Sequence, residues 1–233
     1  MPRLTLLLAR PARFRYLDTV HAALVTALHR AGAAEQQVVG ESAAPWTFAT
    51  SGRGFQGGTI RIEAVTLSTP DPALGAIMLR LDGHHVPIRS INGDELDFSG
   101  AVARPAPVPL HPDQESLAIA FASPFLLSER GPGKSYLRSL AGADLSAAFS
   151  TGLSRRLHRP VSLQVEQDRL SAATDGAAPH LVRVRRSGTR DLILPALSAV
   201  LTLRGSPADL RDAFLAGLGE KTRYGFGCPM ALA

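Results

Sequence analysis

The sequence has a single cysteine, Cys228, which excludes an internal disulfide and a cysteine-based zinc site. Its apolar neighbourhood reads as a buried strand, where a thiol is inert. Lysine occurs only at Lys134 and Lys221, each in a glycine-containing loop. The other cations are arginines, whose planar fork suits phosphate and base contacts better than an ammonium does. No apolar run is long enough to span a bilayer, and the N-terminus enters a strand pattern without a cleavable leader. A cytoplasmic protein with no membrane partner is therefore expected. There is no His-Glu-x-x-His motif and no spaced carboxylate cluster, so neither a metal nor a cofactor is expected.

What is present is a well-supplied core and an excess of positive charge. The 233 residues are 45% hydrophobic and 19% charged, enough for one large domain or two smaller ones. The net charge of +5, with a pI near 10.1, points to a polyanionic partner.

Periodicity predicts an α+β protein. Arg3 to Ala9 reads as a buried strand, Arg10 to Arg15 as a basic connector, and Tyr16 to Arg30 as a helix stopped by Gly32. Within that helix Leu17, Val20, Leu24 and Leu28 recur at three- and four-residue spacing. A strand at Thr59–Thr66, a helix from Pro70 and strands within Val86–Ala103 complete a strand–helix–strand–helix–strand order that resembles the ferredoxin-like unit. Four prolines between Arg104 and Pro112 mark a linker or sheet edge. The second half repeats the scheme. Strands are expected at Leu117–Ala122, Val161–Val165, Leu181–Arg186, Ile193–Leu203 and Phe226–Leu232, with helices at Tyr136–Leu157 and Pro207–Gly217. Two tandem ferredoxin-like (RRM-like, βαββαβ) domains follow, over residues 1–110 and 115–233.

The most informative stretch is Gly217-Leu218-Gly219-Glu220-Lys221-Thr222-Arg223-Tyr224-Gly225-Phe226-Gly227. Two Gly-apolar-Gly triplets flank five residues in a helix-to-strand connection. There Gly217, Gly219, Gly225 and Gly227 can take positive φ, and backbone N–H groups with Lys221 and Arg223 can face an anionic chain. This spacing, close to the C-terminus, resembles the glycine-rich signature of the RAMP superfamily. Within it, the chain is most similar to the CRISPR-associated endoribonuclease that cuts precursor CRISPR RNA in its repeats.

The resemblance implies tandem ferredoxin-like halves and metal-independent cleavage by 2′-OH attack, leaving 2′,3′-cyclic phosphate and 5′-OH ends. It also implies a partner, CRISPR repeat RNA with a stem-loop, and association with other CRISPR effector subunits. A catalytically inactive RNA-binding subunit of an effector complex is the alternative. Family members carry their catalytic histidine in the first helix, as His21 would, or just after it, as His29 would. The plain readings are a boundary histidine covering the core and a helix-end histidine meeting the dipole. Tyr16, at the helix start, would orient substrate or cap the core. The family's tyrosine–histidine–lysine set cannot be completed in the first half, which has no lysine; Arg13, Arg15, Arg30 or Arg53 would then carry the charge.

Further candidates for RNA contact are Arg130 and Lys134 in a basic glycine loop, and Arg138, Arg155, Arg156 and Arg159 along and after a helix. That glycine loop lacks the first glycine of a P-loop, whose position is taken by Ser128, so ATP binding is rejected.

Overall fold

A computed structural model describes residues 3–40, 43–52, 55–56, 59–82, 84–85, 89–91, 94–129, 135–173 and 179–232. The first half contains β1 (Arg3–Phe14), α1 (Leu17–Arg30), β2 (Thr47–Ser51), β3 (Thr59–Ser68), α2 (Pro72–Met78) and β4 (Val102–Pro105). Antiparallel pairing runs β2–β3–β1–β4, the strand order of a ferredoxin-like unit. A small hairpin, Arg89–Ile91 with Asp94–Leu96, pairs with the far end of β1 through Arg13 and Glu95.

Strand β1 runs five residues past its expected end. Ala12 and Phe14 are buried while Arg13 and Arg15 are exposed, so the supposed basic connector is a strand with alternating faces. Its register against β3 shifts between Leu7 and Ala12, a stretch that contains Pro11, which has no N–H for the ladder.

The second half contains β5 (Ser116–Phe121), α3 (Leu145–Leu157), β6 (Leu163–Gln167), β7 (His180–Ser187), β8 (Arg190–Ala196), β9 (Leu201–Gly205), α4 (Pro207–Ala216) and β10 (Pro229–Ala231). Its sheet order, β10–β5–β9–β6, is again ferredoxin-like. The β7–β8 hairpin is inserted between the second and third strands of that unit and forms its own two-stranded sheet. The single strand expected over Ile193–Leu203 is thus two: β8 belongs to the hairpin and β9 to the sheet.

Helix α3 begins at Leu145 rather than Tyr136. The Asp144 carboxylate accepts from the Ala147 N–H at 2.9 Å and caps the helix, and the preceding residues form irregular backbone. Arg138 accordingly lies in a loop.

Two clusters of buried side chains follow the two halves, with one important overlap. The first joins Leu6, Phe14, Val20, Leu24, Trp46, Phe48 and Leu67 to Leu126, Val184, Leu194 and Phe226 from the second half. The other is centred on Ile119, Phe125, Phe149, Leu201, Phe214 and Leu218. Residues from beyond 120 therefore complete the core beneath α1.

Removing the α3 cap tests the corrected helix start. Asp144→Ala should cost about 1 kcal/mol in urea unfolding, and Asp144→Ser should recover most of it. A helix starting at Tyr136 would leave both variants near wild type.

Candidate nucleic-acid interface and cleavage site

Helix α4 ends at Ala216, and all four signature glycines that follow have positive φ: +78° at Gly217, +85° at Gly219, +82° at Gly225 and +64° at Gly227. Each is needed for close approach. The Leu218 N–H donates to the Gly227 carbonyl at 2.8 Å, and a Cβ on Gly227 would collide with the Leu218 carbonyl. A Cβ on Gly219 would stand 2.5 Å from the Leu126 carbonyl oxygen. One on Gly225 would stand 2.7 Å from the Phe48 ring of the first half. The two triplets thus press backbone on backbone, and the five residues between them emerge as a short turn, Thr222–Tyr224.

Two of the loop's glycine N–H groups turn inward. The N–H groups of Gly225 and Gly227 donate to Thr222 and Pro124 carbonyls, at 3.0 and 2.9 Å, rather than facing a polyanion. The glycines shape the loop, from which Lys221 and Tyr224 meet solvent while Thr222 turns inward.

Arg156 holds the loop from beneath. Its guanidinium donates to the carbonyls of Ala216 and Gly217 at 3.0 and 2.8 Å, to Thr222 Oγ1 at 2.8 Å and, through Nε, to the Gly152 carbonyl at 3.3 Å. A cation at the α4 C-terminus also meets the negative end of the helix dipole. Burial pushes its pKa down to about 10, which leaves it charged at neutral pH. Arg156 is thus committed to the protein's own backbone.

Across the junction, α1 presents His21, which is 8% exposed, to the same turn. His21 Nδ1 lies 2.8 Å from the Arg223 carbonyl oxygen. A carbonyl can only accept, so Nδ1 carries the hydrogen and the neutral ring has its lone pair on Nε2. The imidazole stacks on Tyr224 (centroids 4.2 Å apart, planes 24° apart) and, more distantly, on Trp46 (5.8 Å, 11°). Burial lowers the His21 pKa below its ordinary 6.5, against the opposing effects of the Arg223 carbonyl and Asp18. The imidazole is therefore neutral at neutral pH.

The cations of the turn are differently placed. Lys221 is exposed, with Nζ 5.8 Å above the Tyr224 ring. Arg223 is half-buried and donates to the Gly40 carbonyl at 2.7 Å. Arg155, exposed on α3, lines a groove shared with Gly219 and Glu220.

The remaining expected residues stand apart. His29 is half-buried, with Nδ1 2.9 Å from the Ala33 carbonyl just past α1. Tyr16 is 1% exposed and donates to Asp191 on the β7–β8 hairpin at 2.8 Å, so it pins the hairpin onto the start of α1. Arg159 pairs with Asp209 and Asp212 of α4, at 2.7 and 2.6 Å. Arg138 is exposed in its loop. Arg53, Arg130 and Lys134 lie outside the described residues. Among the described residues no group of three or more His, Cys, Asp or Glu side chains could hold a metal ion, and no helix is long and apolar enough to cross a membrane.

Trp46, Thr47 and Gly40 were not singled out in the sequence. Trp46 backs the imidazole, Thr47 donates to the Phe226 carbonyl at 3.2 Å, and Gly40 receives Arg223. All three are brought in by tertiary packing, which leaves no local motif to read.

The family model for CRISPR associated protein Cas6, C-terminal, matches residues 107–230, more than half of the chain. The chain belongs to the Cas6 family. That membership groups it with proteins that process and bind CRISPR RNA. No curated protein matches the sequence.

Solved structures share the Cas6 fold over nearly the whole chain. One is described as a RAMP protein binding different RNA substrates: 14% identity, TM-score 0.67, 99% of both chains covered. Another is a Cas6-related protein from Pyrococcus furiosus: 14% identity, TM-score 0.65, 99% of this chain and 98% of that one. A Cas6 product complex matches at 21% identity with a TM-score of 0.60, over 99% of this chain and 98% of that one. At these identities the likeness establishes the tandem ferredoxin-like fold.

Two outcomes follow. Arg156→Ala would leave the Ala216 and Gly217 carbonyls without their donor and should destabilise the protein by about 2–4 kcal/mol in denaturant unfolding. The second concerns pH. The folded-state pKa of His21 lies below 6.5, so below that pH the unfolded chain takes up a proton that the folded chain refuses. Stability should fall as pH drops from 6.5 towards the folded-state pKa. The slope should be shallower in His21→Gln, measured by urea titrations at successive pH values.

Proposed function

We propose that this protein is an endoribonuclease that cuts CRISPR repeat RNA into guide-length units. The observation that carries the reading is the docking of the glycine-rich turn on α1. The imidazole lies beside the signature loop with Nδ1 donating to the Arg223 carbonyl, which supports a reading in which Nε2 is the base. In this reading Nε2 of His21 accepts the proton of a ribose 2′-OH. The oxygen attacks the adjacent phosphorus as the bond to the 5′-oxygen breaks, and the proton taken up by Nε2 returns to that oxygen through solvent, giving 2′,3′-cyclic phosphate and 5′-OH ends. Lys221, exposed on the turn, offsets the charge that develops on the phosphoryl oxygens. The chemistry so described needs no metal.

The RNA-binding face is formed by side chains that the protein does not consume. Arg155 and Lys221 are exposed around the loop. Arg185, Arg186 and Arg190 are exposed on the β7–β8 hairpin, whose tip, with Arg15 and Tyr16, borders a cavity of about 530 Å³. A structured RNA read through its backbone and shape suits such a dispersed set of guanidinium groups. Arg156 and Arg159 act as positioning residues, since their donors are occupied by the protein.

A second reading draws on the 8% exposure of His21: a non-cleaving RNA-binding subunit of a CRISPR effector. One experiment separates the two. Wild type, His21→Ala and His29→Ala are incubated in EDTA with the labelled repeat RNA of the same CRISPR locus. The nuclease reading expects cyclic-phosphate product from wild type and from His29→Ala, and a loss of about 10²–10⁴-fold in His21→Ala. Tight binding without cleavage by the wild type would leave the effector-subunit reading.

A further inference from the structure

Tyr224 stands out on the glycine-rich turn. It is 37% exposed, the one aromatic among the exposed large apolar side chains of the described residues. Its hydroxyl makes no hydrogen bond among those residues, and its ring has two neighbours of note, the His21 imidazole and the Lys221 ammonium. Behind His21 the stack continues to Trp46, which is fully buried, and on to Phe48 at 6.0 Å. The result is a column of rings with a buried inner end and a part-exposed outer end.

The column has a steric consequence. Tyr224 lies against the imidazole, and Trp46 stacks on it from farther off. The lone pair of Nε2 lies in the ring plane, so a ribose hydroxyl reaches it from the edge of the stack, and its nucleotide must then lie beside Tyr224. The turn holds the ring in place. Tyr224 is followed by Gly225 at φ +82°, packed against Phe48, and the turn opens at Lys221, also left-handed at φ +52°. A part-exposed aromatic ring fixed beside a lysine and an arginine is a stacking platform for an unpaired nucleobase.

We propose that Tyr224 is a substrate-positioning residue: it stacks on an unpaired base of the repeat RNA and so sets the adjoining ribose at the edge of His21. This rests on the reading that the protein binds repeat RNA at the His21 site.

The test uses the full-length protein and its own repeat RNA carrying a 2′-deoxy-2-aminopurine nucleotide at successive positions. Wild type should quench the fluorescence of one unpaired position on binding. Tyr224→Ala should abolish that quench and weaken binding about tenfold. Tyr224→Phe, which keeps the ring, should preserve both. If Tyr224→Ala melts well below wild type, Tyr224→Leu is read in its place, because it keeps apolar bulk without a π face.

Loss of the quench in the ring-less variant, with the fold intact, establishes the stacking role. That holds even if the wild type binds without cutting, a result that would remove only the nuclease reading. A wild type that cuts while the ring-less variant binds and quenches equally overturns this inference alone. No binding by the wild type overturns both.

Discussion

The Leu218 N–H donates to the Gly227 carbonyl across two facing backbones that leave no space for a Cβ, and the rest of the site hangs on that closure. Because the triplets are clamped together, the five residues between them must form a bulge of fixed shape. The bulge aims the Arg223 carbonyl at α1, where His21 receives it. Arg156 secures the inner side of the bulge through Ala216, Gly217 and Thr222, and Phe48 and Leu17 fill the space against Gly225. Each half of the chain contributes a surface that is incomplete without the other.

The positive charge of the protein divides into two populations that composition cannot separate. Arg3, Arg156 and Arg159 are engaged by the protein itself: the first on the Pro229 carbonyl and the Phe214 ring, the second on the loop, the third, at the surface, on two carboxylates. Arg155, Arg185, Arg186, Arg190 and Lys221 face outwards. A guanidinium donates to a backbone carbonyl as readily as to a phosphate oxygen, so only the fold reveals which arginines remain for a ligand.

This explains where the sequence could be read and where it could not. The period of Leu17, Val20, Leu24 and Leu28 and the stop at Gly32 mark α1 well, because a one-sided helix leaves a local trace. The ferredoxin-like strand order was legible for the same reason. Arg10–Phe14 was not, since arginines alternating with Ala12 and Phe14 look like a charged connector until one face is known to be covered. Tyr136–Leu157 was read as one helix because apolar spacing continues through the loop, and only the Asp144 cap fixes the break. Within the site, the glycine spacing and His21 could be found in the chain. Trp46, the Arg223 carbonyl and the inward turn of Arg156 could not, because each depends on a contact more than 20 residues away in sequence.

The long reach of Arg3 has a consequence for how the molecule comes to be. Its guanidinium donates to the Pro229 carbonyl at 2.7 Å, a contact spanning 226 positions, and the core under α1 waits for Phe226. Synthesis delivers the first strand long before the residues that seal it. The chain as it emerges therefore holds an unfinished core until Phe226 and Pro229 have been made. Such distant closures carry a large loop entropy and slow the final step of folding. The same contacts couple the two halves: a product cut shortly before Pro229 would lose the Arg3 contact of the first half and the strand pairing of the second together.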